Sequence, residues 1–151
     1  MGDHDYRVIS ADSHVIEPPD LWVSRLPAKY QEEAPHVITE ADGQQFWVYD
    51  GKKRDTGGLG ASAGRSPEEI TTDNFPYSAM RPGCYDAKAR LADMNDAGVL
   101  ASINFPTLPR FCGQLFSRSK DLSVGLHLLR AYNDWHIDEW CGSHPGRFIP
   151  L

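Results

Sequence analysis

A carboxylate and an imidazole lie two positions apart in Asp12-Ser13-His14, directly after the largely apolar residues 6–11. This run predicts a first β-strand over residues 6–12, in which alternate side chains point to the same face. Asp12 and His14 would then project together, with Val8 and Ser10 on the same face. A carboxylate oxygen and an imidazole nitrogen are two ligands of a divalent metal ion. The pair therefore predicts part of a metal site, although a buried hydrogen-bonded pair without metal is the alternative.

Four other residues have side chains suited to chemistry or to substrate binding. Glu17 follows the predicted strand, where it could act as a general acid or base beside a metal or simply brace the turn. Arg81 precedes a predicted helix and could hold a substrate carboxylate with two hydrogen bonds, or bond loop carbonyls instead. Phe105 and Thr107 end a second predicted strand, where they could line a pocket or merely mark the end of that strand.

The remaining histidines, the cysteines and a glycine-rich segment are expected to have structural rather than catalytic roles. The segment at residues 58–63 fits G-x-G-x-x-A, but neither a buried strand before it nor a helix after it is predicted, so a loop is expected. Three widely spaced cysteines without a CxxC motif indicate reduced thiols. The residues expected to be structural or on the surface are His4, His36, His127, His136 and His144, and the three cysteines are Cys84, Cys112 and Cys141.

Composition excludes several classes of function. The chain has 151 residues, the size of one domain, and a formal net charge of −6 without a concentrated basic stretch, which argues against nucleic-acid binding. No apolar run approaches the roughly 20 residues that cross a membrane. The first five residues are acidic and polar, unlike a secretory signal, so a cytoplasmic location is expected.

The positions of turns and of apolar periodicity predict an α/β fold. Strands and helices alternate, which is typical of a parallel sheet covered by helices. A hairpin and a long irregular loop, residues 35–85, are inserted after the first strand, and the loop is expected to cover the mouth of a pocket. The predicted elements are a helical turn within residues 18–30, hairpin strands at 36–39 and 45–49, an irregular segment at 52–85, a helix at 86–97, a strand at 99–105, a helix at about 120–141 capped by Ser119, and a strand from 147.

Several short motifs, in this order and at this spacing, resemble the amidohydrolase-related family. They are ISADSH with Glu17-Pro18 and Leu21-Trp22, then RPGCYD at 81–86, RLADM at 90–94, FPT at 105–107, AYNDW at 131–135 and RFIP at 147–150. The resemblance implies a metal-dependent (β/α)8 TIM barrel. Such a barrel needs about 250 residues, so residues 1–151 are expected to be the N-terminal portion of an incomplete barrel domain.

The same resemblance implies a function. Asp12 and His14 match the first-strand metal ligands, and the other ligands are expected beyond Leu151, around one divalent ion, Zn or Mn. The expected activity is hydrolysis or decarboxylation of a small organic acid, amide or lactone by a homo-oligomeric full-length enzyme, with little activity in this part alone. The alternative is a non-catalytic, truncated or degenerate domain that acts only as an interaction or structural module.

Overall fold

The protein contains a parallel sheet whose strands are far apart in sequence. The computed structural model describes residues 8–74 and 76–151. Strands β1 (Val8–Val15) and β6 (Phe148–Ile149) flank the central strand β5 (Val99–Pro106), and both pairings are parallel. The predicted α/β class with a parallel sheet is confirmed. Within the described residues this sheet is open, so it does not form a closed barrel.

The helices that connect these strands begin at aspartates. Helix α2 (Ala87–Asp96) is capped by Asp86, whose carboxylate accepts the Ala89 N–H at 2.7 Å, as its sequence predicts. Helix α3 (Leu122–Asp134) continues as a π-helix (Trp135–Cys141). Its cap is Asp121 and not Ser119, so that prediction was wrong. Ser119 instead ends a 3-10 turn (Phe116–Arg118), and the Asp121 carboxylate accepts a backbone N–H of the first helical turn at 2.7 Å. None of the helices described is both long enough and apolar enough to cross a bilayer.

The segment after β1 folds into a helical turn and a second sheet. Helix α1 (Leu21–Arg25) and a 3-10 turn (Ala28–Glu33) precede strands β2 (His36–Thr39), β3 (Gln45–Tyr49) and β4 (Lys52–Asp55), which form an antiparallel sheet. The β2–β3 hairpin was predicted, whereas β4 was wrongly expected to be irregular. Its four residues are all charged, and pairing with β3 rather than hydrophobicity makes them a strand. The described part of residues 58–84 then contains four short 3-10 turns.

One aromatic cluster fixes the second sheet to the helices. Trp22 of α1 makes edge-to-face contacts with Trp47 of β3 (centroids 5.2 Å apart) and with Phe116 (5.5 Å). Its indole N–H donates to the Leu128 carbonyl of α3 at 3.0 Å. All four residues are almost fully buried. Aromatic pairs of this kind bury a large apolar area and prefer particular ring arrangements, so they hold the inserted sheet in a defined position against the helices.

A β-bulge in β1 changes which side chains share a face. Ser10 pairs with Ser102 and Ser13 with Asn104, so two residues of β1 oppose one residue of β5. Ser10 and Ser13 therefore lie on the same side, with their hydroxyl oxygens 2.7 Å apart. The prediction that Ser10 shares a face with Asp12 was wrong for this reason. The strand also runs three residues past its predicted end, and its predicted first residues, like His4, lie outside the described part of the chain.

Candidate metal site

Asp12 and His14 lie on the same face of β1, near the end of the strand. Asp12 Oδ1 and His14 Nε2 are 4.0 Å apart, and 89% of the Asp12 side chain and 51% of the His14 side chain are exposed. His14 is in register with Phe105 of the neighbouring strand, and their ring centroids are 6.0 Å apart. Asp12 belongs to the bulge, which lies between Ser10 and Ser13, so the shared face of Asp12 and His14 follows from the short distance between their side chains and not from simple alternation.

This face is opposite to the one that packs on the helices. The side chains of Ser102 and Asn104 are buried on the helix side, where Asn104 Oδ1 accepts the Ser102 hydroxyl at 3.0 Å and the Trp140 indole N–H at 3.3 Å. Alternation along β5 then directs Phe105 to the opposite side, with His14 beside it. The two metal-binding candidates therefore occupy the open face of the parallel sheet.

The separation of the two donor atoms fits a shared divalent ion only in part. Two donors each about 2.1 Å from one tetrahedral ion lie about 3.4 Å apart, which a small side-chain rotation reaches from 4.0 Å. In residues 8–74 and 76–151, however, no group of three or more His, Cys, Asp or Glu side chains could hold an ion. Two donors rarely hold a metal tightly, so a metal site at Asp12 and His14 would need at least one further donor.

Glu17 is fully buried directly after β1. Its carboxylate accepts the Thr107 N–H at 2.8 Å and the Leu108 N–H at 3.1 Å, and so joins the end of β1 to the loop after β5. Burial raises the pKa of Glu17 to about 7, even though hydrogen bonds from Leu108 and Thr107 act in the opposite direction. Through these contacts Glu17 holds the end of β1 next to the end of β5. The role of Glu17 in proton transfer stays a prediction.

Two further hydrogen bonds hold the same strand ends together. The Thr107 hydroxyl donates to the Val15 carbonyl at 2.8 Å, and the Tyr77 hydroxyl donates to the Glu17 carbonyl at 2.6 Å. The Thr107 side chain thus supports the backbone of β1, and its predicted role in substrate binding is untested. No sequence pattern pointed to Tyr77, because its contact with Glu17 joins residues 60 positions apart.

Arg81 lies beside a cavity on another side of β1. Its guanidinium donates two hydrogen bonds to Asp93 of α2, at 2.8 and 2.6 Å. The ion pair raises the pKa of Arg81 and lowers the pKa of Asp93. The cavity of about 600 Å³ is also lined by Ser13 and His14. A substrate carboxylate would have to displace Asp93 to use these donors, so the predicted binding role of Arg81 competes with an internal partner.

The same cavity contains an arginine that the sequence analysis did not single out. Arg90 of α2 donates to the Gly83 carbonyl at 2.5 Å and to the His14 carbonyl at 2.9 Å. The bond to His14 ties the backbone of this predicted metal ligand to helix α2. Arg90 is three residues before Asp93 on one helix face, and this spacing was the available signal. Glycines 60 and 64 of the inserted loop line the cavity too.

Phe105 connects the candidate metal site to an apolar cavity. Its ring stacks on Phe111, with centroids 5.9 Å apart, and both line a cavity of about 360 Å³ together with Tyr132 and His136. His136 is buried, and burial lowers its pKa. Phe105 thus lies between the His14 ring and this cavity, which is compatible with its predicted pocket-lining role.

The thiols and the glycine-rich segment have structural positions. Cys84 and Cys141 are buried, Cys112 is exposed, and none of the three forms a disulfide. Burial raises the pKa of Cys141 to about 11, so this thiol is protonated at neutral pH. The glycine-rich segment forms a 3-10 turn (Gly58–Ala61), with no strand–turn–helix arrangement for a dinucleotide.

Comparison with known proteins shows similarity of fold. The chain is similar to the crystal structure of an amidohydrolase from Mycobacterium avium subsp. paratuberculosis, with a TM-score of 0.68 and 18% sequence identity. The alignment covers 97% of this chain and 42% of that structure, so the chain spans less than half the length of the protein it resembles. No protein-family model matches the sequence, and no curated protein matches it.

Proposed function

We propose that this chain supplies the first metal-binding strand of a metal-dependent hydrolase or decarboxylase of the amidohydrolase type. One observation carries the proposal. Asp12 Oδ1 and His14 Nε2 lie 4.0 Å apart on the open face of a parallel strand, and 97% of this chain aligns with part of the fold of a known amidohydrolase. Ligands and catalytic groups of α/β folds lie at the carboxyl ends of such strands.

The residues of this chain would hold a metal ion, fix the spacing of the strand ends around it and shield it on one side. When bound, a divalent ion polarises a substrate oxygen or lowers the pKa of water. Asp12 and His14 would bind the ion, Phe105 would form an apolar wall beside it, and Glu17 would keep the two strand ends at a fixed spacing. Because Asp12 is a carboxylate, it lowers the net charge of the site and admits Mn²⁺ as well as Zn²⁺.

The remaining donors are proposed to come from a longer polypeptide with the rest of the fold. The described residues offer no third donor next to the pair. A small organic acid, amide or lactone is the proposed substrate class, and the whole enzyme is proposed to be a homo-oligomer. The competing candidate is a non-catalytic domain, which the absence of a third donor in the described residues favours.

The test is expression of the longest polypeptide that the coding region provides. We expect it to contain about one Zn or Mn per chain and to hydrolyse or decarboxylate members of a panel of small amides, lactones and aromatic acids. His14→Ala should remove both the metal and the activity. His127→Ala is the matched control, since His127 packs on Tyr30 of the helix layer. A metal-free, inactive protein, or an activity that survives His14→Ala, would favour the non-catalytic alternative or a different site.

A further inference from the structure

A separate, strongly basic pocket lies between the inserted sheet and the loop after β5. It has a volume of about 210 Å³, and four cationic side chains line it, two from β4 and two from the loop. They are Lys52, Arg54, Arg110 and Arg118. The chain as a whole has 15 basic and 21 acidic residues. More than a quarter of its basic side chains therefore surround one small pocket in an acidic protein.

The strand geometry brings the first two cations together. Lys52 and Arg54 are two residues apart on β4, so they share a face, and they pair with Tyr49 and Trp47 of β3. Lys53, on the opposite face, forms an ion pair with Glu40. Lys53, which has a counter-ion, therefore lies on one face of β4, whereas Lys52 and Arg54 lie on the face towards the pocket.

Within the described residues, the four cations have no directly bound counter-ion. Among the described residues, none of the four forms an ion pair or a side-chain hydrogen bond within the protein. One carboxylate, Asp50, also lines the pocket, but it is paired with Lys120 at 2.9 Å. The hydrogen bond from Lys120 lowers the pKa of Asp50, and the more distant charges of Lys52 and Arg54 lower it further, so Asp50 only partly compensates these two cations. The Nε atom of Arg54 is buried and has no hydrogen-bond partner. A buried guanidinium nitrogen without an acceptor is unfavourable, and so is the crowding of like charges.

The backbone at the pocket is strained at the residue that contributes a third cation. Arg110 has φ 61° and ψ 179°, a region that glycine alone adopts readily. Asp50, on the other side of the pocket, has φ 51°. Strained backbone that presents a charged side chain persists when the surrounding structure fixes it, and it is typical of binding sites.

We propose that this pocket binds the phosphoryl group of a small molecule. A carboxylate carries one negative charge, whereas a phosphoryl group carries up to two and offers three acceptor oxygens, which better matches three guanidinium groups and one ammonium group. Gln114 at the pocket wall adds an amide donor. The site does not involve Asp12 or His14, so it is independent of the proposed metal chemistry.

The experiment is titration of the chain with inorganic phosphate, a phosphomonoester and malonate, at constant low ionic strength, by calorimetry and by ³¹P line broadening. We expect phosphoryl binding with a dissociation constant of roughly millimolar or tighter. Arg54→Gln and Arg110→Gly should each weaken it roughly tenfold, the loss of one charge-assisted hydrogen bond. Tighter binding of the ester than of free phosphate would identify an ester as the ligand, and the reverse would identify free phosphate.

Arg110→Gly separates loss of binding from loss of folding. Glycine relieves the strained backbone, so the midpoint of thermal unfolding should stay the same or rise while phosphate affinity falls. Arg130→Gln, which removes an exposed cation on α3 outside the pocket, is the control and should leave affinity unchanged. The proposal is overturned if wild-type protein does not bind phosphate, if malonate binds more tightly, or if Arg130→Gln weakens binding as much as Arg110→Gly does.

Discussion

Replacing Glu17 by glutamine should make the stability of the protein less dependent on pH. Glu17 is fully buried and accepts the N–H groups of Thr107 and Leu108. Glutamine has nearly the same shape, but only its carbonyl oxygen can accept, so one N–H loses its acceptor. A buried donor left without an acceptor costs about 1–3 kcal/mol. This cost is the same at every pH, whereas the cost of burying the glutamate charge is not.

The pH-dependent part follows from the raised pKa of Glu17. Burial moves it from 4.5 to about 7, so between these pH values the folded protein holds a proton that the unfolded chain has released. The associated stability is therefore fully present below pH 4.5 and is lost as the pH rises through 7. A difference of this size is worth about 3 kcal/mol. Glu17→Gln cannot titrate, so it should lack this loss.

Urea unfolding at pH 5 and at pH 8 measures the effect. At pH 5 Glu17→Gln should be less stable than the wild type by about 1–3 kcal/mol, and at pH 8 the gap should close or reverse. Comparing the variant with the wild type cancels the other titrating groups. Glu33→Gln, which changes an exposed glutamate, is the control and should show a gap that differs little between the two pH values. An equal gap for Glu17→Gln at both pH values would contradict the raised pKa of Glu17.

Two further substitutions test the packing behind the sheet. Asn104→Ala should lower the free energy of unfolding by about 2 kcal/mol, because the indole N–H of Trp140 and the hydroxyl of Ser102 lose their acceptor. A urea titration that shows a loss below about 0.5 kcal/mol would mean that other acceptors replace Asn104. Gly125→Ala should destabilise α3 by about 1–3 kcal/mol, since the new Cβ would lie 2.5 Å from the Phe116 carbonyl oxygen. Thermal unfolding of Gly60→Ala, where nothing lies within 4 Å, is its control, and equal effects of the two alanines would contradict the steric argument.

Local signals were sufficient for much of the fold. The Asp86 cap, the glycine at position 98 with φ 69° and the Asp42-Gly43 turn each act within a few residues, and the structure has a helix start, a helix end and a hairpin there. Alternating strand and helix patterns also predicted the parallel sheet. These features depend on backbone conformation and capping, which the sequence encodes locally.

Contacts between distant residues account for what was missed. Strand β4 is charged throughout and exists because it pairs with β3. The bulge in β1 depends on register with β5, and the ion pair of Arg81 depends on how α2 packs against the inserted loop. The basic pocket combines β4 with Arg110, 56 residues beyond Arg54, and no spacing rule joins them. Tertiary structure determines each of these features.

A Mn²⁺ titration of isotopically labelled protein, followed by NMR, tests directly whether Asp12 and His14 bind a metal ion together. If Asp12 and His14 jointly bind a divalent cation, paramagnetic broadening should begin at the amides of residues 11–15 and at the neighbouring Phe105. His14→Ala should abolish this broadening without changing the rest of the spectrum. Broadening that begins elsewhere, or that is unchanged in His14→Ala, would contradict the account.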